Sequence, residues 1–148
     1  GHRLISNKSH WRQFPKLSCR NWYSGNRVLI GDAVHTAHFS IGSGTRLAME
    51  DALALSKALI ETPEDIPAAL AAYQAARKPI TDKLVTAANT SAAWYEKFAA
   101  HMTLAPADFA YSYIQRSGRI DDDRLQRLAP KFFETYSPGW NKSAGDRA

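Results

Sequence analysis

Asp32, His35, His38, Gly42 and Gly44 carry the side chains and the backbone freedom most suited to chemistry, and all lie between Arg27 and Leu55. Val28-Leu29-Ile30 is a run of large aliphatics, two of them β-branched, with no polar face. Such a run predicts a strand buried on both sides, as in a parallel sheet. It would deliver Asp32 at its carboxyl tip, where doubly wound sheets bind their ligands. A carboxylate there can accept hydrogen bonds from two hydroxyls of a sugar or sugar-alcohol chain. Gly42 and Gly44 follow just before a helix that opens near Thr45. Glycines let backbone approach a flat ligand closely, and the free N–H groups from Thr45 to Leu47 favour negative charge. Gly-x-Gly before a helix is a weak signal alone and a much stronger one after a strand ending in Gly-Asp.

The same residues have plainer readings. His35 and His38 are three apart behind Asp32, but zinc takes three or four ligands in fixed geometry. No further His or Cys cluster supports them, so no metal is expected. His38 is the candidate for a catalytic role, since imidazole is a common general acid or base; a loop histidine more commonly caps backbone or packs on a ring. Cys19 lacks a neighbouring base and reads as a small buried residue. Trp94, Tyr95 and Phe98 read as helix packing. Tyr73 and Arg77, at i and i+4, read as a stacked surface pair, and Asp51 as a structural residue holding the loop through backbone N–H groups.

The elements around this segment divide the chain. Residues 1–27 mix aromatic and polar groups; His10 to Phe14 alternates toward Pro15 as an extended segment, and Ser24-Gly25-Asn26 signals a turn. Residues 28–60 hold the strand, the loop and a helix that Pro63 ends. A second helix starts near Pro67 and runs to about Ala100, with Pro79 kinking or dividing it. A third spans Ala107 to Arg116, stopped by Gly118, and a fourth spans Asp121 to Leu128, so residues 61–136 are mainly helical. Residues 137–148 read as a tail or linker. The expected fold class is therefore α/β: one buried strand with a leading extended segment, then a helical C-terminal part, as in the C-terminal fragment of a larger domain.

Composition agrees with a globular protein. The 148 residues are 45% hydrophobic and 22% charged, with a formal net charge of +5, which excludes a disordered, collagen-like or disulfide-stapled chain. Lys and Arg are scattered among acids rather than gathered on one stripe, so nucleic acid is not an expected partner. No stretch approaches the roughly 18 apolar residues that cross a bilayer. The single cysteine points to a reducing compartment, the cytoplasm.

The segment Arg27 to Leu55 resembles the second flavin-binding motif of the FAD-dependent aromatic hydroxylases, the single-component flavoprotein monooxygenases. Their pattern runs Gly-Asp-Ala-Ala-His, three residues, Pro, two residues, Gly-x-Gly-x-Asn, then a helix bearing an Asp. Gly31, Asp32, Ala33, His35, Gly42, Gly44, Ala48 and Asp51 fall in register with it. Phe39 stands at the Pro and Arg46 at the Asn; Arg46 either adds charge near the flavin or turns outward. The stretch from His38 to Thr45 is similar to the subgroup acting on aryl-CoA thioesters, the salicylyl-CoA and 2-aminobenzoyl-CoA hydroxylases, and Phe109 to Ile120 looks like their C-terminal part. The resemblance implies FAD held by Gly31, Asp32, Gly42, Ser43, Gly44, Thr45 and Arg46, with Asp32 on the ribitol and the glycine loop, intolerant of side chains at Gly44, on the pyrimidine edge. It further implies NAD(P)H and O2 as co-substrates, an aromatic substrate such as an aryl-CoA thioester, and a dinucleotide turn on the rest of a parent chain. Two alternatives stand beside it: a non-catalytic helical interaction module, and a hydroxylase of indole or phenol substrates.

Overall fold

The computed structural model describes residue 10 and residues 13–136. The expected tail at 137–148 and part of the extended segment at His10–Phe14 lie outside the described residues, and Gln13 and Phe14 form no strand. Elements run β1 (Tyr23–Ser24), β2 (Arg27–Val28), α1 (Gly44–Glu61), α2 (Ile66–Glu96), α3 (Phe98–His101), α4 (Pro106–Gln115) and α5 (Asp122–Leu128). Two single 3-10 turns, Gly31–Ala33 and Phe39–Ile41, lie between β2 and α1.

The strand expectation is corrected. Strands β1 and β2 pair antiparallel as a short hairpin, Tyr23 opposite Val28 and Ser24 opposite Arg27. Only Val28 reaches the core, while Leu29 and Ile30 are each 40% exposed. A strand is buried on both sides only when other strands flank it and layers cover both faces. Among the described residues no such neighbours exist, so the aliphatic run ends in an irregular segment held by Leu29 N–H donating to Trp22 O at 2.8 Å.

The core forms where α1 and α2 meet the residues that precede them. Trp22, Val34, Ala58, Ala69 and Tyr73 are buried together, with Cys19, Val28, Ala54, Leu55 and Leu59 packed around them. Trp22 is tilted against His35 and Tyr73, and its N–H donates to Gln74 Oε1 at 2.7 Å. Helix α2 starts where Asp65 caps Ala68 N–H at 3.0 Å and Pro67 occupies the first turn. It neither breaks nor divides at Pro79. Pro79 and Ala75 are both on the exposed face, so the carbonyl left without a donor is open to water. Buried Tyr73, Arg77 and Thr81 keep the other face in place.

Past α2 a second packing centre forms around Trp94. Its ring stacks on His101 at 4.2 Å and meets Phe98, Phe109 and Tyr113 edge-on, while Nε1–H donates to Ser112 Oγ at 2.8 Å. Packing, rather than a pocket, accounts for Trp94, Tyr95 and Phe98. Gly118, at φ +68, turns the chain after α4, and Asp121 caps α5 through Arg124 N–H at 2.8 Å. Tyr111 OH donates to Asp122, and burial, reinforced by that bond, pushes the phenol up to about 12.

Two outcomes follow. Trp94→Ala should lower unfolding free energy by about 3–5 kcal/mol in a denaturant titration, with Trp94→Phe costing less because it loses mainly the Ser112 bond and part of the stacking. The Tyr111 contribution is full below about pH 10 and is lost as pH rises toward about 12, because the fold favours the neutral phenol. A phenolate absorbance titration, differenced against Tyr111→Phe, should place its ionisation above that of the exposed tyrosines.

Candidate functional site

At the end of β2 the backbone turns tightly under α1, in a conformation and at a distance that favour glycine. Gly31 sits at φ +57, and a Cβ there would stand 3.1 Å from Ala48 Cβ. Its carbonyl accepts from Val34 N–H and His35 N–H, closing the first 3-10 turn and bringing Asp32 to the surface. The chain then runs back past residues 15–19, with Thr36 bonded to Leu17 and Pro15 and a bridge between His35 and Ser18. A second 3-10 turn follows, closed by Gly42 in the left-handed region at φ +64. Helix α1 begins at Gly44.

These turns enclose an open cleft of about 680 Å³. Gly31, Asp32, Gly42, Gly44 and Thr45 line it, with Ile30 and Phe39 as apolar walls. Five of the seven residues expected to hold a cofactor thus face one space. The other two do not. Ser43 is buried and donates through Oγ to Ile41 O, and Arg46 turns outward to pair with Glu50 at 3.4 Å. Of the two loop glycines, backbone conformation disfavours a side chain at Gly42, at φ +64. Gly44 has ordinary φ, and a Cβ there would meet nothing within 4 Å.

His38 lies outside this cleft. Its Nδ1 accepts from Ser40 N–H at 3.2 Å, and its ring stacks on Phe39 at 4.3 Å. It shapes the turn. His35 is buried in a different set of contacts, and among the described residues no group of three or more His, Cys, Asp or Glu side chains could hold a metal ion.

Asp51 anchors the cleft from beneath. Fully buried on α1, its Oδ2 accepts from Gly31 N–H at 3.2 Å and lies 2.6 Å from His35 Nε2, and its Oδ1 accepts from Arg77 Nε–H at 2.9 Å. Arg77 also sets Nη2 3.0 Å from Glu50 Oε2 as an ion pair. Tyr73, one turn earlier, donates to Leu29 O at 3.2 Å; burial first, then the Asp51 charge, raises its phenol well above the ordinary value and keeps it a donor. Asp51 therefore holds the loop through a backbone N–H as expected. The surface-pair reading of Tyr73 and Arg77 is corrected: both are buried. A buried arginine is almost always paired, and here its partner is Asp51.

Comparison with known proteins gives one family. Residues 2–88 match the family described as FAD binding domain. The chain is 44% identical over 119 residues to salicyloyl-CoA 5-hydroxylase of Streptomyces sp, covering 79% of this chain and 23% of that protein. It is 48% identical over 97 residues to 3-hydroxy-4-methyl-anthranilyl-[aryl-carrier protein] 5-monooxygenase of Streptosporangium sibiricum, covering 66% and 27%. With protodeoxyviolaceinate monooxygenase of Chromobacterium violaceum it shares 38% identity over 117 residues, 78% of this chain and 31% of the relative. The chain thus spans between about a quarter and a third of the length of these relatives.

Removing the anchor should be costly. Asp51→Ala leaves His35 buried without its partner and Arg77 with Glu50 alone, and unfolding free energy should fall by about 3–5 kcal/mol. Glu50→Ala, at a carboxylate 35% exposed, should cost only about 0–1 kcal/mol. Chemical denaturation of both variants, read by tryptophan fluorescence, compares the two values directly.

Proposed function

The chain belongs to the FAD-binding-domain family, and on that premise we propose that its cleft forms the ribitol and pyrimidine side of an FAD site in a monooxygenase that hydroxylates an aromatic ring. The observation that carries this reading is the convergence of Gly31, Asp32, Gly42, Gly44 and Thr45 on one open space. The site chemistry fits the cofactor on three counts. Asp32 has no hydrogen-bond partner among the described residues and is exposed to the cleft, so its oxygens are free to accept from ribitol hydroxyls. The Cβ positions at Gly42 and Gly44 open onto empty space, where a flat ring can lie against backbone. Helix α1 has no side-chain cap, so its first-turn N–H groups face outward at the positive end of an 18-residue helix.

In that arrangement Asp32 holds the sugar alcohol, and the α1 N-terminus stabilises negative charge at the pyrimidine edge by about 0.3–2 kcal/mol. Gly31 and Asp51 keep the two in register. Bound FAD supplies electron transfer from NAD(P)H and activation of O2. The adenylate half belongs on a Gly-x-Gly-x-x-Gly unit, a motif these 148 residues do not contain. Substrate choice as an aryl thioester is supported by the resemblance of residues 38–45 to the aryl-CoA subgroup and by two relatives whose names carry an aryl thioester or an aryl carrier.

Two substitutions in the full-length protein test the site. Asp32→Ala should weaken FAD binding about 10- to 150-fold, the loss of a charge-assisted hydrogen bond of about 1.5–3 kcal/mol. Gly44→Val should leave the unfolding free energy of FAD-free protein nearly unchanged, within about 0.5 kcal/mol, yet lower FAD content, because its side chain enters only the ligand's space. Full retention of FAD by both variants after dialysis would falsify the placement.

A further inference from the structure

Beyond the cleft, on the far side of the Phe39–Ile41 turn, a second recess of about 290 Å³ opens between that turn and the segment joining α4 to α5. Arg116, Arg119 and Arg124 line it, with Ile41, Ser117 and Ile120. No carboxylate is among its lining residues, and none of the three guanidinium groups forms an ion pair among the described residues. Arginine gathered threefold without an acid is uncommon in a fold for its own sake, because like charges repel.

Two of the three acids nearby are committed elsewhere, and the third, Asp123, lines a different recess. Asp121 caps Arg124 N–H, Asp122 accepts from Tyr111 OH and from Gln115 Nε2, and Asp121 to Asp123 line the adjoining recess with Gly118. Arg124 stands in the first turn of α5, the positive end of a helix, where a cation is disfavoured.

Arg116 is built in rather than loose. Its guanidinium sits 4.0 Å from the Tyr113 ring centre, Nη1–H donates to Tyr113 O at 2.9 Å, and Nη2–H reaches Ser40 O at 3.5 Å. Its Nε–H is buried and has no hydrogen-bond partner among the described residues. Arg124 Nη1–H bonds Arg119 O at 3.3 Å, and Arg119 N–H bonds Ser117 Oγ at 3.4 Å, so the backbone between the arginines is fixed. Arg119 and Arg124 are exposed at the rim. One oriented arginine with two accessible ones around a half-open recess is an arrangement suited to a phosphate, whose oxygens match the planar guanidinium fork.

We propose that this recess is a phosphate-recognition site, taking the phosphate group of a nucleotide-bearing small molecule, separate from the FAD cleft and joined to it through Ser40 and Ile41. The inference stands on the arginines and goes beyond the flavin reading. The phosphate can come from a coenzyme A thioester or from the 2′-phosphate of NADPH, and the two sources separate by experiment.

The test uses full-length protein and the double variant Arg119→Gln/Arg124→Gln, which leaves the half-buried Arg116 in place. Binding of coenzyme A, 3′-dephospho-coenzyme A, NADPH and NADH is measured by calorimetry, with FAD content and melting temperature alongside. The expected result is at least about a tenfold loss of affinity for coenzyme A or for NADPH, a smaller loss for the partner molecule lacking that phosphate, and unchanged FAD content. A loss confined to coenzyme A and its dephospho form assigns the site to the thioester carrier; a loss confined to NADPH assigns it to the reductant. Equal affinities for all four ligands in variant and parent overturn the proposal and leave the FAD assignment standing, since the variant's FAD content reports on that independently.

Discussion

One buried carboxylate organises this molecule. Asp51 has no exposure, and burying an unpaired charge is prohibitive, so its surroundings must bring donors to it. They come from three places in the chain: the Gly31 N–H at the end of the hairpin segment, the His35 ring, and Arg77 on α2. Satisfying one side chain thereby fixes a strand end, a loop and a helix relative to α1. Glycine suits position 31 on two counts, because φ is +57 and a Cβ would press on Ala48 Cβ at 3.1 Å. The position of Asp32 is a consequence, since it is the next residue along a backbone whose direction is already set.

The loop that completes the cleft is held by a different device. Ser40 Oγ donates to Ala88 O on α2, and Ser40 O accepts from Arg116 at the end of α4. The family match ends at residue 88, yet a helix well beyond it grips the turn that carries Gly42. The C-terminal helices are therefore part of the cleft's support. This also explains why α4 is built around Trp94 and Tyr113: the aromatic cluster gives Arg116 a rigid base from which to reach Ser40.

The helices were largely legible in the residues because their signals are local. Pro67 and Asp65 mark the start of α2, Gly118 the turn after α4, and Asp121 the cap of α5, each acting within one turn. The residues converging on the cleft were legible through their spacing, Gly31-Asp32 followed by Gly42 and Gly44. What could not be read depended on distant partners. Whether Val28-Leu29-Ile30 is buried is decided by what flanks it, and hydrophobicity alone does not supply that. Tyr73 and Arg77 look like a surface pair until Asp51 is placed opposite them. Ser43 and Arg46 fell in the right stretch of chain but point away from the cleft: Ser43 bonds back to Ile41 O, and Arg46 lies two residues beyond Gly44 on a helix that turns each side chain by about 100°.

Pro79 gives α2 a property that its outline conceals. The helix is one continuous rod of 31 residues, but a missing N–H at Pro79 removes a rung from its hydrogen-bond ladder. On the N-terminal side Tyr73 and Arg77 tie the rod to the loop and α1; on the C-terminal side Trp94 ties it to α4. The two halves are therefore anchored to different parts of the fold. Local opening of the half before the proline is opposed by the Asp51 network, and of the half after it by the aromatic cluster. Ala88, whose carbonyl accepts from Ser40, lies in the second half, so the turn that carries Gly42 is tied to the side of α2 that packs on α4.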